Sequence, residues 1–195
     1  KGQSIPATQE DSVAAIPGKT LVTTIDRNIQ FQVDGILAQQ IARLQARSGT
    51  AIVMDSTTGE IYAMSTLRLN EDGTYSADSG NIAAVEANEP GSVAKVFSIA
   101  AAINEGQVDS TTSFTVPPVF VANKGTQWES AIRDAYPHGI EDMSVRKIFV
   151  DSSNVGTLMV GQTIGPDKLH DYLKLFGFGT KSAVDFPGET KGILQ

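Results

Sequence analysis

The stretch from 92 to 105 constrains the chain more than any other. Pro90-Gly91 interrupts the backbone before it, Gly106 closes it, and Ala94, Phe97, Ile99, Ala101 and Ile103 place apolar groups on nearly every side. A helix with that pattern is expected at the centre of a fold, buried all round. Yet it carries Lys95, and an amine among apolar neighbours is costly unless it is paired or neutral. Residues three apart share a helix face, so the Ser92 hydroxyl and the Lys95 amine can meet. Unpaired amides of a first helical turn favour negative charge developing there. A serine hydroxyl becomes a nucleophile when a base takes its proton, and a lysine serves as that base only when deprotonated. Burial against Phe97 and its apolar neighbours would lower the Lys95 pKa in the required direction. The competing reading is that Ser92 is simply a helix cap.

A second polar element follows in Ser152-Ser153-Asn154-Val155-Gly156, at the junction of two helical runs expected near 144–150 and 155–163. A tight turn there could bring another hydroxyl and an amide to the same cleft, although Ser and Asn also end one helix and cap the next. Around these elements the expected order is as follows. Residues 1–20 form a polar entry arm, and 21–25 are β-rich. Asp26 caps a helix over 27–46, which Ser48-Gly49 ends. A hairpin of 50–54 and 60–65 turns through 55–59. Residues 66–90 are expected to be an irregular surface loop, and the Pro- and Thr-rich stretch to Gly139 is assigned no element. Gly165-Pro166-Asp167 opens a last short helix that stops at Gly177.

Composition narrows the function. With 15 basic against 22 acidic residues, the net charge is −7, and no basic footprint for nucleic acid is visible. There is no cysteine, which excludes thiolate chemistry, and the two histidines, His138 and His170, are too separated to suggest a metal cluster. No run of about 18 apolar residues reads as a membrane span, so no membrane contact is expected from these residues. Trp128 is expected to sit partly buried under a loop.

Ser-x-x-Lys, Ser-Asp-Asn and Lys-Thr-Gly mark a family of penicillin-interacting serine enzymes. The chain resembles the class B penicillin-binding proteins, the monofunctional transpeptidases of wall synthesis. Glu89-Pro90-Gly91-Ser92 through Lys95 matches the nucleophile motif, and Ser152-Ser153-Asn154-Val155-Gly156 matches the second. Thr24-Ile25-Asp26 with Gln30 resembles the opening strand and helix. Ala51-Ile52-Val53-Met54-Asp55 and Thr58-Gly59-Glu60-Ile61-Tyr62-Ala63-Met64 resemble the first hairpin, and Gly177-Phe178-Gly179 and Phe186-Pro187-Gly188-Glu189 fit later landmarks. The third motif is expected beyond residue 195. Lys181-Ser182-Ala183 has Ala where close backbone approach demands Gly, and Thr190-Lys191-Gly192 has the wrong order. The Gly177–Ser182 stretch lacks the spacing of a phosphate loop.

The resemblance implies an α+β domain, an antiparallel sheet flanked by helices, that is incomplete at its C-terminal end over 21–195. It implies Ser92 as acyl-accepting nucleophile, Lys95 as its base, Ser152 as proton carrier to the leaving nitrogen and Asn154 as holder of Lys95 and substrate. Ser153 is expected to contact substrate. The substrate would be a peptidoglycan stem peptide ending in D-Ala-D-Ala, with β-lactams as mimics. No metal or cofactor is implied. Division or wall-synthesis proteins would be partners, and the domain would lie on the outer face of the bacterial cytoplasmic membrane, its anchor outside this chain. The 195 residues by themselves would be inactive or nearly so. Two other readings stay open: a β-lactamase or D,D-carboxypeptidase using the same serine, and a non-catalytic β-lactam sensor or scaffold. Ser153 in place of the Asp of Ser-Asp-Asn disfavours the first, as does the extended region preceding the nucleophile.

Overall fold

The computed structural model describes residues 15–77 and 80–194. They belong to two compact units, Lys1–Ser79 and Gly80–Gln195. Most of the expected entry arm lies outside the described residues, and 15–26 carry no helix or strand.

In the first unit, Asp26 caps helix α1 (Arg27–Leu44) by accepting from the amides of Asn28 at 2.8 Å and Ile29 at 3.0 Å. Strands β1 (Ser48–Met54) and β2 (Ile61–Leu69) pair antiparallel, and β3 (Tyr75–Ala77) extends the sheet in the order β1-β2-β3. Asp55 shapes the β1–β2 turn by accepting from the amides of Thr57 and Thr58 at 2.7 and 2.9 Å. Gln30 fastens α1 to β2, since its side-chain carbonyl accepts from Met64 N at 2.8 Å and its amide donates to Met64 O at 3.3 Å.

Three expectations are revised here. Segment 21–25 is not a strand but an extended lead-in, held by Thr24 Oγ1 donating to Ile61 O at 2.6 Å and by Asp26 N donating to Tyr62 O at 2.9 Å. Helix α1 ends at Leu44, with Gln45 left-handed at φ 51°, and Gly49 belongs to β1. Glycine is needed there for space, because a Cβ would sit 2.5 Å from Ile41 Cγ2. The supposed loop 66–90 contains the end of β2, all of β3 and a one-turn helix. Its turn residues Asn70 and Gly73 close the β2–β3 hairpin, with Asn70 N donating to Thr74 O at 2.8 Å.

The second unit opens with that short helix, α2 (Ile82–Val85), then a 3₁₀ turn (Gly91–Ala94) that runs directly into α3 (Lys95–Asn104). The stretch before Gly139 forms two small antiparallel ladders whose short strands escape pattern reading. Strand β4 (Ser113–Val116) pairs with β7 (Glu141–Ser144), and β5 (Val119–Ala122) pairs with β6 (Ser130–Arg133). Helices α4 (Val145–Val150), α5 (Asn154–Gln162) and α6 (Pro166–Leu175) complete the unit. Ile99, Ala102, Val116, Met143, Val145, Ile148, Val155 and Val160 form its core.

Helix α3 is not buried all round. Ile99, Ala101 and Ala102 are covered, whereas Val96 is 41% exposed and Ile103 46%, and Val93 in the preceding turn is 70% exposed. Trp128 is 72% exposed rather than tucked under a loop. Gly177 follows α6, not a strand, so the phosphate-loop reading fails on context as well as spacing. No helix among the described residues is long and apolar enough to cross a membrane.

Gly156 shows how tightly α4 and α5 fit. A Cβ there would lie 2.6 Å from Ile148 Cγ1 and 2.9 Å from both Ile148 Cγ2 and Ser153 Oγ. Gly156→Ala is therefore expected to cost about 1–3 kcal/mol by overpacking. Denaturant unfolding of the complete protein checks this, and an unchanged midpoint would contradict the packing described.

Candidate active site

Ser92 sits in the 3₁₀ turn ahead of α3. Gly91 starts this turn at φ 56°, a conformation that a side chain would strain. In 3₁₀ geometry residues three apart eclipse one another, so the turn aligns Ser92 with Lys95 more directly than an α-helix would. The Lys95 amide donates to Ser92 O, which closes the turn. No side-chain cap bond is made at the start of the 3₁₀ turn or of α3. Among the described hydrogen bonds none involves the Ser92 hydroxyl. Ser92 is exposed and caps nothing.

The Lys95 amine reaches Ser152. It donates to Ser152 Oγ at 2.9 Å and to the Ser152 carbonyl. Lys95 and Asn154 both line a cleft of about 500 Å³ with Ser98, Ile132, Thr157 and Leu158. Burial pushes the Lys95 amine below its ordinary pKa, and the negative charge of Asp134 partly opposes this. The Phe97 ring packs against Phe176 and Phe178, each centroid 4.9 Å away.

The second motif is the joint between α4 and α5. Ser153 N donates to Ile148 O at 2.9 Å and Ser152 N to Phe149 O at 3.2 Å, the paired bonds of a Schellman helix end. Ser152 occupies the left-handed position of that motif at φ 56°, where glycine is the usual residue. Its conformation turns both of its oxygens toward Lys95.

Ser153 and Asn154 do other work than expected. Ser153 is wholly buried, at 0% exposure, and caps α5 by accepting from Gly156 N at 2.8 Å while donating to Asp134 Oδ2 at 2.7 Å. A hydroxyl so enclosed and so engaged has no access to a substrate. No described hydrogen bond joins Asn154 to Lys95; its amide donates to Arg133 O at 2.8 Å and ties α5 to the end of β6. It nonetheless shares the cleft wall with Lys95. The structure thus brings Lys95 and Asn154 to one cleft, with Ser152 bonded to the Lys95 amine, Ser92 in the turn ahead of Lys95, and Ser153 buried.

Sequence reasoning missed Asp134. Its side chain is 0% exposed and is bonded on three sides, by Ser153, by Val155 N at 2.9 Å and by His138 Nε2 at 3.1 Å. Burial alone would raise this carboxyl, but the bonds from Ser153 and from the Val155 and Asn154 amides, with His138 beside it, hold it below the usual value. An acidic residue in a loop carries no mark of its own. The only available signal was that a buried Ser153 needs an acceptor. His138 is satisfied as expected, its Nδ1 lying 2.7 Å from Gly139 O. Among the described residues no cluster of His, Asp and Glu could hold a metal ion.

Known proteins resemble this chain over most of its length. Residues 49–195 match the penicillin binding protein transpeptidase domain. The chain is 36% identical to the penicillin-binding protein PbpB of Mycolicibacterium smegmatis over 99% of its own length and 30% of that protein's. It is 32% identical to the probable peptidoglycan D,D-transpeptidase PenA of Neisseria gonorrhoeae, over 91% of this chain and 30% of that one. The fold matches penicillin binding protein 3 of Mycobacterium tuberculosis, whose structure is complexed with aztreonam. The TM-score is 0.80 at 31% identity, covering 94% of this chain and 41% of that one. The chain thus spans about 30% of the length of these curated relatives. With its mixed helices and antiparallel sheets, its Ser-x-x-Lys turn and its Ser-x-Asn bend, the chain belongs to the penicillin-binding protein transpeptidase domain family.

Proposed function

We propose that this chain carries the first two motifs of a serine-type D,D-transpeptidase that cross-links peptidoglycan stem peptides. The observation that carries the reading is the Lys95 amine, bonded to both oxygens of Ser152 one turn after an uncommitted Ser92 hydroxyl. In this reading Ser92 attacks the carbonyl of the penultimate D-alanine, its proton passing to neutral Lys95. An ester to Ser92 forms and the peptide bond to the terminal D-alanine breaks. Ser152, already bonded to Lys95, returns the proton to the leaving nitrogen. An amine from a neighbouring stem then attacks the ester and frees Ser92. β-Lactams enter by the same attack and leave an acyl group on Ser92.

Turnover belongs to the complete protein, because these 195 residues hold no Lys-Thr-Gly strand to complete the cleft. The loss of one oxyanion donor alone slows such enzymes by about 10²–10³. The site acts on the wall side of the cytoplasmic membrane, where its substrate lies, alongside other wall-building or division proteins.

Intact mass measurement of the complete protein with penicillin, followed by peptide mapping, tests the nucleophile. A persistent adduct on the Ser92 peptide is expected, and Ser92→Ala should abolish it. Rapid loss of the adduct would favour the hydrolase reading, and an adduct surviving Ser92→Ala would end the assignment.

The lowered Lys95 pKa fixes a sign for pH dependence. Only the neutral amine accepts a proton, so the acylation rate should rise with pH and level off below 10.5, the ordinary lysine value. A rate flat across that range would contradict Lys95 as base.

The left-handed Ser152 separates fold from chemistry. Ser152→Gly and Ser152→Ala both remove the hydroxyl, but only glycine relieves the backbone, by about 1–2 kcal/mol. Both variants should acylate slowly, with Ser152→Gly the more stable in denaturant. Equal stability would contradict the conformation described.

A further inference from the structure

The second motif of this chain contains no acid. Where the motif reads Ser-Asp-Asn, a carboxylate stands at its middle position, and here that position is Ser153. The fold brings a carboxylate to the same place from another element. Asp134, the residue after β6, puts Oδ2 2.7 Å from Ser153 Oγ and Oδ1 2.9 Å from Val155 N. It thereby takes the proton of the residue that caps α5 and one of the open amides of that helix, the groups a capping acid would engage. Behind it, His138 Nε2 lies 3.1 Å from Oδ2, and both side chains are almost fully covered, 0% exposed for Asp134 and 7% for His138.

We propose that Asp134, backed by His138, is the positioning residue of the second motif, supplying from a separate loop the carboxylate that Ser-Asp-Asn carries within itself. Its bonds fix Ser153 and Val155, the residues on which the left-handed turn at Ser152 closes, so that Ser152 keeps both oxygens on Lys95. The inference rests on the reading of Ser92 and Lys95 as nucleophile and base. Asp134 makes no hydrogen bond to either of them. It acts through Ser153 and Val155, and its buried charge is tolerated because each oxygen has a donor.

This role has two consequences of opposite kind. Loss of the carboxylate loosens the bend and slows acylation. Loss of its negative charge also removes what opposes burial at Lys95, so the amine becomes neutral at lower pH. General damage to the scaffold produces the first effect without the second.

Acylation of the complete protein by a fluorescent penicillin, followed across pH, tests the proposal with Asp134→Asn, Ser153→Asp and the double variant. Asp134→Asn should acylate about 10²-fold more slowly at its plateau, and the double variant should regain at least about tenfold of that loss. The rising limb of the Asp134→Asn profile should lie at lower pH than in the parent. In the double variant the new carboxylate caps α5 and accepts from the asparagine amide, reversing the native bond. Ser153→Asp alone buries two facing carboxylates and should lose folded protein. Parent-like rate and an unshifted limb in Asp134→Asn would overturn the proposal, whereas no acylation of the parent would instead sink the reading of Ser92. If Asp134→Asn does not fold, regained folding and acylation in the double variant supports the proposal and continued failure overturns it.

Discussion

A single amine organises the second unit. Lys95 leaves the first turn of α3 and ends on both oxygens of Ser152, joining the helix that presents Ser92 to the junction of α4 and α5. The cleft wall that takes it from water makes its charged form expensive, and among the described residues polar contact with Ser152 and the more distant charge of Asp134 compensate. That balance suits the base role proposed for Lys95: enough desolvation to ease loss of a proton, enough partners to be held in place. Each neighbouring feature serves one side of it. Gly91 permits the turn that aligns Ser92, the Schellman end of α4 turns Ser152 outward, and Ser153 keeps that bend closed from below.

The residues of the second motif divide the labour in a way their adjacency conceals. Ser152 faces the Lys95 amine, Ser153 is buried against Asp134 and Asn154 bridges to β6. A left-handed residue followed by an extended helix cap reverses the direction of successive side chains, so three consecutive polar residues reach three different environments. The middle position is therefore a helix cap that needs a buried partner. Ser153 and Asp134 together meet that need.

Several features were legible from residue order because they depend on local chemistry. Asp26 before an apolar-periodic run and the Asp55 turn both emerge where short-range hydrogen bonding requires them. The motif residues were legible because Lys95 was out of place in an apolar run. What stayed hidden depends on partners distant in the chain. The four-residue strands of the 113–133 stretch are too short to show alternation. Asp134 gains its meaning only when Ser153 folds against it, 19 residues on. The depth of α3 was overstated because apolar content reports what a face can bury, not what covers it. Gly49 was misread because a glycine before a strand looks the same whether it ends a helix or makes room for Ile41.

The junction between β7 and α5 contains no slack. β7 ends at Ser144, and α4 starts at Val145 with its first amides already taken by Thr112 O and Ser110 O. Six residues later the same helix delivers the bend, and α5 begins at once, packed through Gly156 on Ile148. A bend mounted this way has no independent hinge. Opening it requires withdrawing Ile148 and Val155, both fully enclosed, from the centre of the unit. The Ser153 amide therefore shares the hydrogen-exchange protection of the interior and not that of a surface connection. Any movement of the cleft must come from its other walls, with the Lys95–Ser152 contact acting as a fixed anvil.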